Sequence, residues 1–321
     1  MLDERTGGTS SARASGNPPV VSSPVFKSNS GFLDELRLKG YADIGTPEPA
    51  YILEHVSYQH LIPYFKALAY LPPSEPKTVN AAHNLLTFDR RMQSVLMQYV
   101  GIFEAQFRAQ YLARMTEAHG PFAVYDPGNF LREEKRRVSS ETYETEVLKR
   151  SRRDRAVRQM YEEWGSRVPL WVGMECMTLG TLSAFYSNTA DRSVTDAVAS
   201  SFGCRKDELV SWTKTITAVR NICAHFEPLF VRKQLPSQPK RIFGVSCSRR
   251  TPLYAVLILV KLLEDVHFQS YDSNLIYARN LELSICAHLE DLQRVYPERM
   301  PLPSIPFNWR TLLNHPELRK K

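Results

Sequence analysis

Between residues 78 and 118 the chain carries an apolar stripe that a β-strand cannot use. Leu85, Phe88, Met92, Leu96, Tyr99, Phe103 and Phe107 recur at three- and four-residue steps, the period of a helix buried along one face. Gly120-Pro121 closes it, because glycine accepts a left-handed cap and proline cannot continue the helix. A helix this long dictates the rest, since other elements must pack along it. A second amphipathic pattern begins near Asp207, with Leu209, Trp212, Thr213, Ile216 and Val219 on one face. There is no Gly-rich phosphate loop and no strand–helix alternation, so the chain is expected to be all-α and a nucleotide-binding α/β fold is disfavoured.

Shorter pieces fill in the order. Residues 32–39 form a helix that Gly40 ends, and Pro47-Glu48-Pro49 starts another through Tyr51, Ile52 and His55. Tyr58, His60, Tyr64 and Phe65 beside Pro63 read as core at a helix junction, with base stacking as the alternative. Ser139-Ser140-Glu141 opens a charged helix, a serine cap and an early acid suiting the helix dipole. Its basic run, Lys149-Arg150-Ser151-Arg152-Arg153-Asp154-Arg155, is read as lying within that helix. Val168-Pro169-Leu170-Trp171 starts a helix with proline in its first turn; Gly180 breaks it, and residues 181–188 continue. Further helices are expected at 194–202, 252–268 and 273–294. Residues 227–250 read as a long surface loop, and the Pro-rich end packs through Phe307, Trp309 and Leu312. Residues 1–30, rich in Ser, Gly, Pro and Ala, bury too little to offset their ordering entropy and are expected to be a disordered tail.

Charge and cysteine use narrow the function. The net charge is +7 and the pI about 9.1, which is compatible with an RNA partner. The five cysteines, Cys176, Cys204, Cys223, Cys247 and Cys286, are scattered, as expected for reduced thiols in a cytoplasmic protein. Cys223 reads as a small packing residue. No zinc-ligand spacing is present, so no metal and no cofactor are expected. The longest apolar run, residues 253–260, is far short of the roughly 20 residues that span a bilayer, and no secretory signal is visible.

The chemistry is concentrated in Arg220-Asn221-Ile222-Cys223-Ala224-His225. Asn221 and His225 are four apart and share a helix face, and Arg220 can swing toward it. An arginine fork holds phosphate, and a histidine moves protons near neutral pH. RNA supplies its own nucleophile, the 2′-OH. The plain alternative is a helix C-terminus capped by basic side chains. Arg114…His119 and Arg310…His315 share the spacing, so the spacing alone is weak evidence.

Four blocks carry a family likeness. They are Gly40-Tyr41 to Tyr64-Phe65; Phe88-Asp89-Arg90-Arg91-Met92 with Phe103-Glu104-Ala105-Gln106-Phe107-Arg108; Pro169-Leu170-Trp171-Val172 with Leu179-Gly180-Thr181-Leu182-Ser183 and Phe185-Tyr186-Ser187-Asn188; and Val219 to His225. In these the chain resembles the AbiD/AbiF-like abortive-infection proteins of bacteria, which belong to the HEPN superfamily. The resemblance implies a HEPN-like helical bundle with additional helices, a domain over 31–321 and its core at about 78–270. It also implies phage defence by a metal-independent endoribonuclease, with Arg220, Asn221 and His225 as catalytic residues completed across a homodimer. Glu104 and Arg108 are either an ordinary ion pair or a brace for that site. Arg136, Arg137, Lys149, Arg150, Arg152 and Arg153 form the most basic stretch, either a solvated helix face or a contact to RNA phosphates. Relatives often carry a second histidine followed by a basic residue where this chain has Phe226-Glu227. The alternative function is a non-catalytic RNA- or partner-binding module, or a toxin component restrained by an antitoxin or small RNA.

Overall fold

The computed structural model describes residues 27–71, 74–131, 138–165, 167–232, 234–237, 239, 241–242, 245–247, 251–264, 277–297, 302, 304–306 and 308–314. Among these the fold is all-α, with thirteen α-helices and a two-residue ribbon, β1 (Arg241–Ile242) paired antiparallel with β2 (Val245–Ser246). The helices are α1 (Asn29–Leu38), α2 (Glu48–His55), α3 (Tyr58–Ala67), α4 (Val79–His119), α5 (Ser140–Ser151), α6 (Arg155–Glu163), α7 (Leu170–Gly173), α8 (Leu179–Asn188), α9 (Arg192–Ser200), α10 (Lys206–Ala224), α11 (Leu253–Leu262), α12 (Tyr277–Val295) and α13 (Trp309–Leu313). No helix among the described residues is long and apolar enough to cross a membrane.

The expected long helix is the 41-residue α4, about 60 Å of unbroken rod. Its N-terminus is fixed twice. Thr78 accepts from the Ala81 N–H, and the Asp43 carboxylate accepts from the N–H groups of Val79 and Asn80 at 2.9 and 3.0 Å. These satisfy donors that the first turn leaves without intrahelical partners. Gly120, at φ +80°, closes the other end. Against the apolar stripe pack α3, α9, α10 and α12, with α2, α7, α8 and α11 beside them. Phe103 and Phe107 stack and meet Phe202 and Tyr186 edge-on. The apolar α11 is buried almost throughout.

Several expectations are corrected. The break after α7 falls at Met177–Thr178, beyond a 3-10 turn at Met174–Cys176, and not at Gly180. Thr178 caps α8 by accepting from the Thr181 N–H, and Pro169 precedes α7 as its N-cap residue instead of sitting within its first turn. The basic run is split, because α5 ends at Ser151 and Asp154 caps a separate α6, accepting from Ala156 and Val157. The segment after α10 does not start as a surface loop, since Leu229, Phe230 and Leu235 are buried. Tyr64 is core, while His60 is exposed. Trp309 is buried as expected; Phe307, residues 1–26 of the expected tail and the 265–276 stretch lie outside the described residues.

Candidate functional site

The buried face of α10 is the one its spacing predicts: Leu209, Trp212, Thr213, Ile216 and Val219 are all buried. The helix therefore delivers its last turn to the surface in a fixed orientation. Arg220 is half-buried, and Asn221, Ala224, His225 and Phe226 are exposed. Arg220 donates to the Asn221 Oδ1 at 3.2 Å. The structure thus brings Arg220 and Asn221 into contact, with His225 one turn on, its imidazole joined to neither.

The chain reverses immediately after His225. Phe226 N–H donates to the Cys223 carbonyl at 3.1 Å and Glu227 N–H to the Ile222 carbonyl at 3.0 Å, the paired bonds of a Schellman cap. The cap needs a left-handed residue, and Phe226 supplies it at φ +54°, a conformation that costs a non-glycine residue about 1 kcal/mol. This is the only non-glycine residue at positive φ among those described.

One turn of α4 grips this reversal. The Gln93 amide donates to the Glu227 carbonyl at 2.9 Å and accepts from Arg90 at 3.1 Å. The Arg90 guanidinium lies 4.9 Å from the centre of the Phe226 ring. Asp89, fully buried, accepts from the N–H groups of Leu229 and Phe230 at 2.9 and 3.0 Å and from the Tyr64 hydroxyl at 2.7 Å. Burial pushes the Asp89 carboxyl upward and its three donors oppose that shift. The ionised form is the one the geometry satisfies, since every described partner donates. Burial and Asp89 push the Tyr64 phenol far up, so it stays the donor. Arg232 closes the far side with an ion pair to Glu227 and a bond to the Pro228 carbonyl.

Asp89 is thus an anchor for the turn beyond His225. Gln93 and the conformation of Phe226 escaped the sequence reading. The available signal was two polar residues four apart, Asp89 and Gln93, inside an otherwise apolar stripe.

The other expected residues lie elsewhere. Glu104 and Arg108 do pair, at 2.8 Å, but another guanidinium nitrogen of Arg108 donates to the carbonyls of Met174 and Met177, and its Nε pairs with Glu175 at 3.7 Å. It fastens the 3-10 turn after α7. Arg108 is also roughly 28 Å along α4 from Asp89, so the pair does not brace the end of α10. Lys149 pairs with Glu146, Arg150 with Asp154, and Arg152 and Arg153 are exposed. Because α5 packs on α7 and on the Met174–Cys176 turn, this basic run belongs to the Arg108 end of the rod. Arg136 and Arg137 lie outside the described residues. Cys223 is buried and burial pushes its thiol up to about 12, away from a nucleophile's range. Among the described residues no group of three His, Cys, Asp or Glu side chains is placed to hold a metal ion.

A family model described as Abi-like protein matches residues 51–231, more than half of the chain, and includes the end of α10 and its grip from α4. No curated protein and no solved structure matches the chain.

Proposed function

The chain belongs to the Abi-like protein family, the AbiD/AbiF group of abortive-infection proteins, which implies phage defence, and from that premise we propose that it is an RNA-cleaving enzyme that uses no metal. The observation that carries the reading is the exposed Arg220-Asn221…His225 turn. It is polar, faces solvent and is held rigidly by the cap at Phe226 and the α4 grip.

In this reading a homodimer brings two such turns together. His225 takes the proton of the ribose 2′-OH, whose oxygen attacks the adjacent phosphorus. His225 of the partner subunit gives a proton to the leaving 5′-oxygen. The products are a 2′,3′-cyclic phosphate and a 5′-OH. Arg220 holds the phosphate as charge builds on its oxygens, and Asn221 orients Arg220 through their hydrogen bond. Each proton-transfer role is typically worth about 10²–10⁴ in rate.

The test uses purified protein in EDTA. Cleavage should persist, a substrate with 2′-deoxyribose at the cut should resist, and His225→Ala should abolish cutting with fold and RNA binding intact. Cleavage that needs magnesium overturns the mechanism. One observation favours a second reading, a non-catalytic RNA-binding module. The His225 imidazole has no hydrogen-bond partner among the described residues, whereas a catalytic base is commonly oriented by a third group. RNA bound at equal strength by wild type and His225→Ala, with no cleavage by either, selects that reading.

A further inference from the structure

The four tryptophans fall into two classes. Trp212 and Trp309 are buried and donate to the Arg241 carbonyl and to the Gln293 side-chain oxygen on α12. Trp164 and Trp171 are 43% and 46% exposed, and their indole N–H groups meet no acceptor among the described residues. They meet each other edge-on at 6.4 Å between ring centres. Phe122 backs Trp164 at 5.9 Å.

This ledge is built, not incidental. Val157, Met160, Tyr161 and Trp164 fall on one face of α6 and its C-cap by their three- and four-residue spacing, yet α6 has no fully buried side chain. It leans on α5, with Val157 and Tyr161 partly buried against the core and Met160 and Trp164 left exposed. The cation placed by contact at the ledge is Arg167, which lies over the Tyr125 ring at 5.2 Å, and Tyr125 in turn meets Phe122 at 6.4 Å. Arg152 and Arg153 in the turn before α6, and Arg155 at its first position, are exposed and make no ion pair among the described residues, but they stand at the other end of α6 from Trp164. Exposed aromatic faces with a cation alongside are the two components that hold an unpaired nucleic acid strand: rings for the bases and a cation for the phosphates.

We propose that Trp164 and Trp171 form a stacking platform for the bases of single-stranded RNA, remote from His225 and distinct from the cleavage turn. The choice of RNA rests on the function proposed above, but binding at this platform does not require cleavage.

The probe is a 12-nucleotide single-stranded oligouridine, titrated into full-length His225→Ala protein so that it is not cut. Tryptophan emission should quench saturably, because the exposed pair is what a stacked base reaches while Trp212 and Trp309 stay shielded. The double variant W164A/W171A, read with W164F/W171F by the anisotropy of a fluorescein-labelled copy of the oligomer because both lack the emitting pair, should bind roughly tenfold or more weakly with unchanged far-UV circular dichroism. W164F/W171F, which keeps the ring faces, should retain most of the affinity. Undiminished binding in the alanine variant overturns the proposal, as does equal affinity for a duplex of the same length. So does a change of oligomeric state in the alanine variant with RNA binding intact, which would make the ledge a contact between copies. Oligouridine bound but never cut by the wild-type chain counts against the nuclease reading and leaves the platform standing. Normal cutting by W164A/W171A at unchanged KM does the reverse.

Discussion

Three donors converge on the Asp89 carboxylate, two of them backbone groups 140 and 141 positions later in the chain. Asp89→Ala strands both N–H groups and a phenol in the interior, so it should cost about 3 kcal/mol or more. The readout is a lower urea midpoint at an unchanged m-value. Asp191 tests charge instead. Its carboxylate is held below the usual range chiefly by the Ser193 hydroxyl and N–H, with a smaller part from His119. A depressed folded value stabilises above the unfolded pKa and is lost as pH falls through the folded one. Asp191→Ala should therefore lower Tm at pH 7, and the gap to wild type should close below about pH 4. A gap that is constant with pH would show that the carboxylate's charge is not what matters. At this scale the sequence was partly legible. The contact between Arg220 and Asn221 was legible because they are neighbours at the end of one helix, whereas the imidazole of His225 meets neither. The role of Gln93 was not, because its partner, Glu227, is 134 positions away and nothing local points to it.

Among elements, α5 is docked by one close approach. A Cβ on Gly173 would lie 2.0 Å from the Tyr143 side chain, whose hydroxyl donates to the carbonyls of Val168 and Pro169. Gly173→Ala must displace that ring. It should cost about 1–3 kcal/mol and loosen α5 and α6, weakening oligouridine binding while leaving the α10 turn in place. Cleavage of a dinucleotide, too short to need a distant platform, is the measurement that separates the two effects. Element boundaries were legible where a cap residue stood against an unambiguous pattern, as at Ser139. They were misread where a stronger local signal competed. The arginines around Asp154 masked its capping role, and Gly180 drew the break away from Thr178 although glycine fits inside the first turn of α8, against Thr217. The long stripe of α4 survived every such ambiguity because its period repeats over the whole length.

Across the whole molecule, α4 separates two surfaces. Near residues 89–93 it holds the turn that carries His225, and from residue 104 onward it carries the Arg108-bound turn on which α5 packs. RNA binding through the second surface should fall steeply with salt, whereas the chemistry at the first should depend on association of two chains. Specific activity per chain should then drop on dilution below the dimer dissociation constant and return on adding inactive His225→Ala protein only in so far as a mixed pair retains one proton-transfer role. Activity independent of concentration down to the monomer range, checked by sedimentation, would remove the paired site.

The bend at Phe226 has a consequence for engineering. Glycine there would relieve roughly 1 kcal/mol of backbone cost and forfeit about 0.5–1 kcal/mol of contact between the ring and Arg90. The two nearly cancel, so Phe226→Gly should leave thermal robustness almost unchanged, whereas a ringless side chain other than glycine keeps the backbone cost and loses the contact. Glycine is therefore the replacement that clears an exposed benzyl group from the residue after His225 with little penalty to the scaffold.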